Sequence, residues 1–103
     1  MDYQDYMELG YKIKEELRKD INGSIRFLIF ENDDCMSIDI EYKDFKFRKI
    51  LVGVSEKIIY AGVPIEKVCK GIKEEYKTAI LNMYFKSEFK KKREEEWRNV
   101  LPI

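Results

Sequence analysis

Apolar or small residues fall at Tyr3, Tyr6, Met7, Gly10, Ile13, Leu17 and Ile21, mostly in steps of three and four. That spacing puts them on one face of a helix. Asp2 is placed to cap its start, and Asp5 and Glu8 suit the positive end of the helix dipole. Glu8–Lys12 and Glu15–Lys19 stand in the favourable i,i+4 order on the wet face. Asn22-Gly23 ends the segment, since glycine takes a left-handed backbone cheaply. Gly10, within the apolar stripe, is expected to let a neighbouring backbone approach closely.

The pattern then changes to a period of two. Ser24 to Glu31, Cys35 to Tyr42 and Phe45 to about Val52 read as strands, joined by the turn-like Glu31-Asn32-Asp33-Asp34 and Lys43-Asp44. A two-residue turn at Asn32-Asp33 sets Ile29 opposite Met36, Phe27 opposite Ile38, Ile25 opposite Ile40 and Arg26 opposite Asp39. A two-residue turn at Lys43-Asp44 sets Ile40 opposite Phe47, Tyr42 opposite Phe45, Glu41 beside Lys46 and Asp39 beside Arg48. Together they make an apolar inner face and an outer face on which Asp39 lies between two arginines. A slip of one residue would bury every charge, so this register is strongly specified. Lys49 breaks the alternation, which predicts a bulge near Lys49–Ile50 or an earlier strand end. Leu28 and Phe30 are left on the outer face, covered by the C-terminal segment or forming a contact surface.

Residues 54–62 fit a short helix capped by Ser55 and stopped by Gly62 better than a fourth strand over Lys57–Tyr60. Pro64 suits the first turn of the next helix. That helix carries the stripe Ile65, Val68, Cys69, Ile72, Tyr76, Ala79, Ile80 and Met83. Beyond Ala79, Leu81, Tyr84, Phe85 and Phe89 add apolar bulk off the stripe. A helix apolar on more than one side is buried on more than one side, which makes these four a candidate partner interface, with a homodimer as one form of it. Lys90-Lys91-Lys92-Arg93 followed by Glu94-Glu95-Glu96 reads as a charged helical extension or tail. The expected organisation is one α+β domain over residues 1–89 and the extension over 90–103, in the order α-β-β-β-(short α)-α, with the helices on one face of an antiparallel meander.

The chain has 103 residues, 45% hydrophobic and 39% charged, as expected for one folded domain. Its apolar runs are far shorter than a membrane span, and the acidic start does not resemble a secretory signal. Both points lead us to expect a cytoplasmic protein with no membrane contact. Formal net charge is zero, but unevenly spread: Glu31 to Asp44 holds six acids and one base, whereas Lys57 to Arg93 holds ten bases and four acids. A basic helix face formed by Lys67, Lys70 and Lys73, with Lys90, Lys91, Lys92 and Arg93, is therefore a candidate nucleic-acid contact.

Catalytic signals are weak. Histidine is absent, and Gly53-Val54-Ser55 lacks the second glycine of a nucleophile elbow. Asp33-Asp34 is a poor metal site without further carboxylates, and Cys35 and Cys69 have neither disulfide nor zinc spacing. We expect no enzyme, no cofactor and no metal.

The helix–strand–strand–strand–helix order resembles the double-stranded RNA-binding domain. That family holds RNA with its first helix, the loop between its first two strands and the lysine-rich start of its last helix. Here the loop position is the short, acidic Glu31-Asn32-Asp33-Asp34, so the element order carries over and RNA binding does not. The segment Ile38-Asp39-Ile40-Glu41-Tyr42-Lys43-Asp44-Phe45-Lys46-Phe47, with Ser55-Glu56-Lys57-Ile58 and Glu75-Tyr76-Lys77-Thr78-Ala79-Ile80-Leu81, is similar to small uncharacterised proteins of phages and prophages of Gram-positive bacteria. That resemblance implies a phage-linked accessory protein. The expectation is a protein-interaction or self-associating module, with nucleic-acid binding as the alternative.

Overall fold

The computed structural model describes residues 2–100 and, along the last helix, side chains as far as Met83 together with Lys86. Helix α1 spans Tyr3–Arg18. Asp2 Oδ1 accepts the Asp5 N–H at 3.0 Å, and Asp5 Oδ2 accepts the Asp2 N–H at 3.1 Å, a reciprocal cap on the first turn. The buried stripe is Tyr6, Leu9, Gly10, Ile13 and Leu17. Leu9 is therefore inside and Tyr3 outside, a slight rotation from the expected face. The helix ends three residues sooner than the apolar pattern does. Ile21 is still buried, its N–H bonded to the Leu17 carbonyl at 3.0 Å. The wet-face pairs are Glu15–Arg18 and Glu16–Lys19, at i,i+3 rather than the expected i,i+4.

Strands β1 (Ser24–Phe30), β2 (Cys35–Tyr42) and β3 (Phe45–Val52) form one antiparallel sheet in the order β1-β2-β3, so β1 and β3 are its edges. The register is the one expected from the side-chain alternation, with Ile25 opposite Ile40, Arg26 opposite Asp39, Ile40 opposite Phe47 and Asp39 opposite Arg48. Two local expectations are overturned. The first turn has four residues, a 3₁₀ turn over Glu31–Asp33 closed by a left-handed Asp34 with φ of 50°. Four residues and two are both even insertions, so facing is unchanged and the pairing survives.

Nor is there a bulge at Lys49, where pairing runs unbroken through Ile38–Lys49 to Cys35–Val52. Lys49 does point to the helix side, and its long stem carries the ammonium out to Glu75 Oε1 at 3.0 Å. With no bulge, Ile50 and Val52 stay in phase with Arg48 on the outer face.

Gly53, with φ of 62°, turns the chain out of β3 into a short π-helical segment over Val54–Tyr60. Helix is thus the right reading of this stretch, but its cap is Gly53 and not Ser55. Helix α2 runs Ile65–Val100, and Pro64 sits just before it, its carbonyl accepting the N–H groups of Lys67 and Val68. The expected division at residue 90 falls inside this helix.

Helices α1 and α2 lie on one face of the sheet, completing a two-layer domain. Ile13, Leu17, Met36, Ile38, Ile40, Cys69 and Ile72 form the centre of the core. At its lower end Tyr76 packs against Phe47, ring centroids 5.5 Å apart. Each fully buried aliphatic side chain contributes about 1.5–3 kcal/mol, which is what outweighs the ordering of so short a chain.

Gly10 is where α1 meets the sheet. A Cβ there would stand 2.4–2.8 Å from the Phe27 ring, so the close neighbour is an aromatic side chain and not a backbone. The ring is itself held edge-on by Tyr11 at 5.2 Å. Gly10→Ala is expected to destabilise by about 1–2 kcal/mol, because overpacking outweighs the gain in helix propensity. Urea unfolding of G10A and of G10A/F27L checks this, the second change relieving most of the loss.

Candidate interaction surface

The outer face of the sheet can be read as rows of three side chains, one from each strand. Phe30, Cys35 and Val52 make the first row, and Leu28, Ser37 and Ile50 the second. Arg26, Asp39 and Arg48 make the third, and Ser24, Glu41 and Lys46 the fourth. Leu28, Phe30, Ile50 and Val52 are each between 48% and 54% exposed. Small side chains from β2 separate them, and Ser37 is 2% exposed beneath its taller neighbours. The upper half of the face is thus two apolar walls, about 10 Å apart across β2, over a narrow floor. Four large apolar side chains thus stand together in the open, unlike the usual scatter of single exposed residues.

The third row is polar and ordered. Asp39 accepts from Arg48 Nε at 2.8 Å and Arg48 Nη2 at 3.1 Å, and from Ser37 Oγ at 2.9 Å. The Arg48 guanidinium, with the Ser37 hydroxyl, holds the Asp39 carboxyl below the usual carboxylate range. Arg26 lies opposite Asp39 and its charge also helps to lower the carboxyl, but it makes no hydrogen bond to it, so of the two flanking arginines only Arg48 is bonded to the acid. Such an exposed pair is worth under about 1 kcal/mol.

Beyond the apolar rows lies the acidic turn, where sequence reasoning missed a network. Asp34 accepts the Tyr6 hydroxyl at 2.7 Å, the Ser55 hydroxyl at 2.7 Å and the Ser55 N–H at 2.9 Å, while its carbonyl takes the Val54 N–H at 3.0 Å. These bonds, the Ser55 hydroxyl first and the Tyr6 hydroxyl next, keep the Asp34 carboxyl well down, as suits an ion held by donors. The same contact and burial push the Tyr6 hydroxyl up to about 12. The carboxylate is fully used in joining three elements. No local motif announces a partnership across 28 residues; the one signal was a tyrosine inside an apolar stripe, whose hydroxyl needs a partner.

No family model, no characterised protein and no solved structure matches the chain.

The other expected site residues are scattered. Lys67 and Lys70 are exposed on the first turns of α2, but Lys73 is engaged with Asp20 across the α1–α2 junction. Lys90 lies 23 residues beyond Lys67 on the same helix, about 35 Å along its axis. The side chains of Lys90, Lys91, Lys92 and Arg93 lie outside the described residues, as do those of Tyr84, Phe85 and Phe89. Leu81 and Met83 are described and stand about half exposed, just beyond Ile80, which still packs on the core.

The thiol of Cys69 is buried, donates to the Ile13 carbonyl at 3.7 Å and is pushed up to about 11 by that burial, which suits packing rather than reaction. A solvent-open cleft of about 570 Å³ lies where α1 meets the π-helical segment, with Asp5, Glu8 and Lys12 on one side and Ile58 and Tyr60 on the other. Among the described residues no helix is long and apolar enough to cross a membrane.

Tyr6→Phe is expected to cost about 1–2 kcal/mol at neutral pH, since it removes a hydrogen bond to a charged acceptor. In the folded protein the Tyr6 pKa is raised from about 10 to about 12, so its contribution is complete below pH 10 and is lost as pH rises toward 12. Urea melts through that window should show a shallower alkaline decline for Y6F than for the wild type.

Proposed function

We propose that the chain is a protein-interaction module whose partner is a second copy of itself. One observation carries this reading: a sheet covered by helices on one side presents four half-exposed apolar side chains in adjacent rows on the other. Removing that surface from water is the strongest driving force the exposed face offers. Leu81 and Met83 at the root of the projecting helix add a second, smaller apolar area. The polar side chains with defined geometry are occupied in structure, Asp34 by Tyr6 and Ser55, and Asp39 by Arg48. The function we infer is therefore binding and not catalysis.

Nucleic-acid binding has less support. Lys73 is paired with Asp20, and Asp39 and Glu41 stand along the middle of the open face, where they would repel phosphate. A phage-linked accessory role rests on the resemblance alone. Sedimentation of the full chain should show a weight-average mass that rises with concentration from 12.4 kDa toward twice that value. A constant monomer mass up to about millimolar protein, where even a weak complex forms, would sink the reading.

A further inference from the structure

Resting on the self-association reading above, we infer that the interface is the open sheet face itself, closed on a second copy by a two-fold axis that crosses the strands between the two apolar rows. The order of chemistry along the strands carries the inference. From one end to the other come the acidic turn with Glu31 and Asp33, the two apolar rows, and then the row of Arg26, Asp39 and Arg48. A two-fold axis in the plane of the face reverses that order in the second copy. Placed between the apolar rows, it sets Leu28 and Ile50 of each copy against Phe30 and Val52 of the other. The same rotation lays each Arg26 over the other copy's acidic turn.

Every favourable contact is thereby made twice, as a symmetric interface requires. Arg26 is the cation suited to this. Arg48 is already taken by Asp39, whereas among the described residues Arg26 makes no ion pair. Glu31 and Asp33 are likewise exposed and make no ion pair among the described residues. An axis along the strands would instead set Arg26 over Arg48 and Asp39 over Asp39, which repels. Sheets pack face to face at about 30° from alignment, which lets the walls on either side of the Cys35–Ser37 floor interleave.

Size sets the strength. The face offers four rows of three residues, about half the 20–30 per side of a standard stable interface, so the dimer is weak and in exchange with monomer.

Sedimentation of full-length variants tests the arrangement, with circular dichroism confirming that each folds. Ile50→Lys, on an exposed edge strand, is expected to abolish the dimer; Phe30→Asp is the second variant should I50K misfold. Arg26→Glu should weaken dimerisation about tenfold or more, because the two-fold repeats the lost contact. R26E combined with Glu31→Arg should restore it, since both reversals meet in every interface. Leu81→Glu should leave it unchanged.

A dimer lost in L81E and intact in I50K overturns the sheet-face interface while leaving self-association standing. A chain monomeric throughout overturns both. Failure of R26E/E31R to recover what R26E loses overturns the two-fold arrangement. So would salt-sensitive binding of a single-stranded oligonucleotide that R26E abolishes in a chain that stays monomeric, since it would assign the face to nucleic acid.

Discussion

One carboxylate, that of Asp34, joins parts of the chain that packing alone would leave loosely related. It ends the first strand turn, accepts the Tyr6 hydroxyl from α1 and receives Ser55 at the start of the π-helical segment. The left-handed backbone of Asp34 lets one residue do this, because it turns the chain sharply while leaving the carboxylate free to gather donors. A partly buried charge is costly unless its acceptor sites are filled, and here hydroxyl and amide donors fill them. The acidic turn is therefore part of the frame that holds helix to sheet at one end. Toward the other end Tyr76 packs on Phe45 and Phe47, beside the ion pair of Lys49 with Glu75.

Between these ends the domain is one-sided. Two helices cover one face of three strands, and the inner residues of all three lie against them. The other face keeps four half-exposed apolar side chains in two adjacent rows, beside two rows that are charged or polar. Lys49 shows how the inner face tolerates an apparent error. Its position is half-buried, yet its charge reaches Glu75 at the edge, so no break in the strand is needed.

How much of this was legible in the sequence follows from the range of each interaction. Period-two alternation with short turns set the pairing, because shifting Ile25, Phe27 and Ile38 by one residue would bury Arg26 and Asp39. The same rule, carried through Lys49, would also have placed Ile50 and Val52 outside; assuming that lysine must escape by a bulge hid half of the apolar surface. The phase of α1 was read slightly off because Tyr3 looks as apolar as Leu9, and only burial tells them apart. Lys73 looked free until folding brought Asp20 to it across 53 residues. The Tyr6–Asp34–Ser55 group has no local mark at all, since each member is ordinary where it stands in the chain.

The meander order has a kinetic meaning. Each strand pairs with its neighbour in sequence, across loops of four and two residues, so the sheet closes with little loss of chain entropy. Pairings this local form quickly. The joining of α1 to α2 spans more than fifty residues, as Cys69 on Ile13 does, and comes at higher entropic cost. Sheet pairing is thus the local part of this fold and helix docking the distant part, so the inner face is closed only by contacts between segments far apart in the sequence.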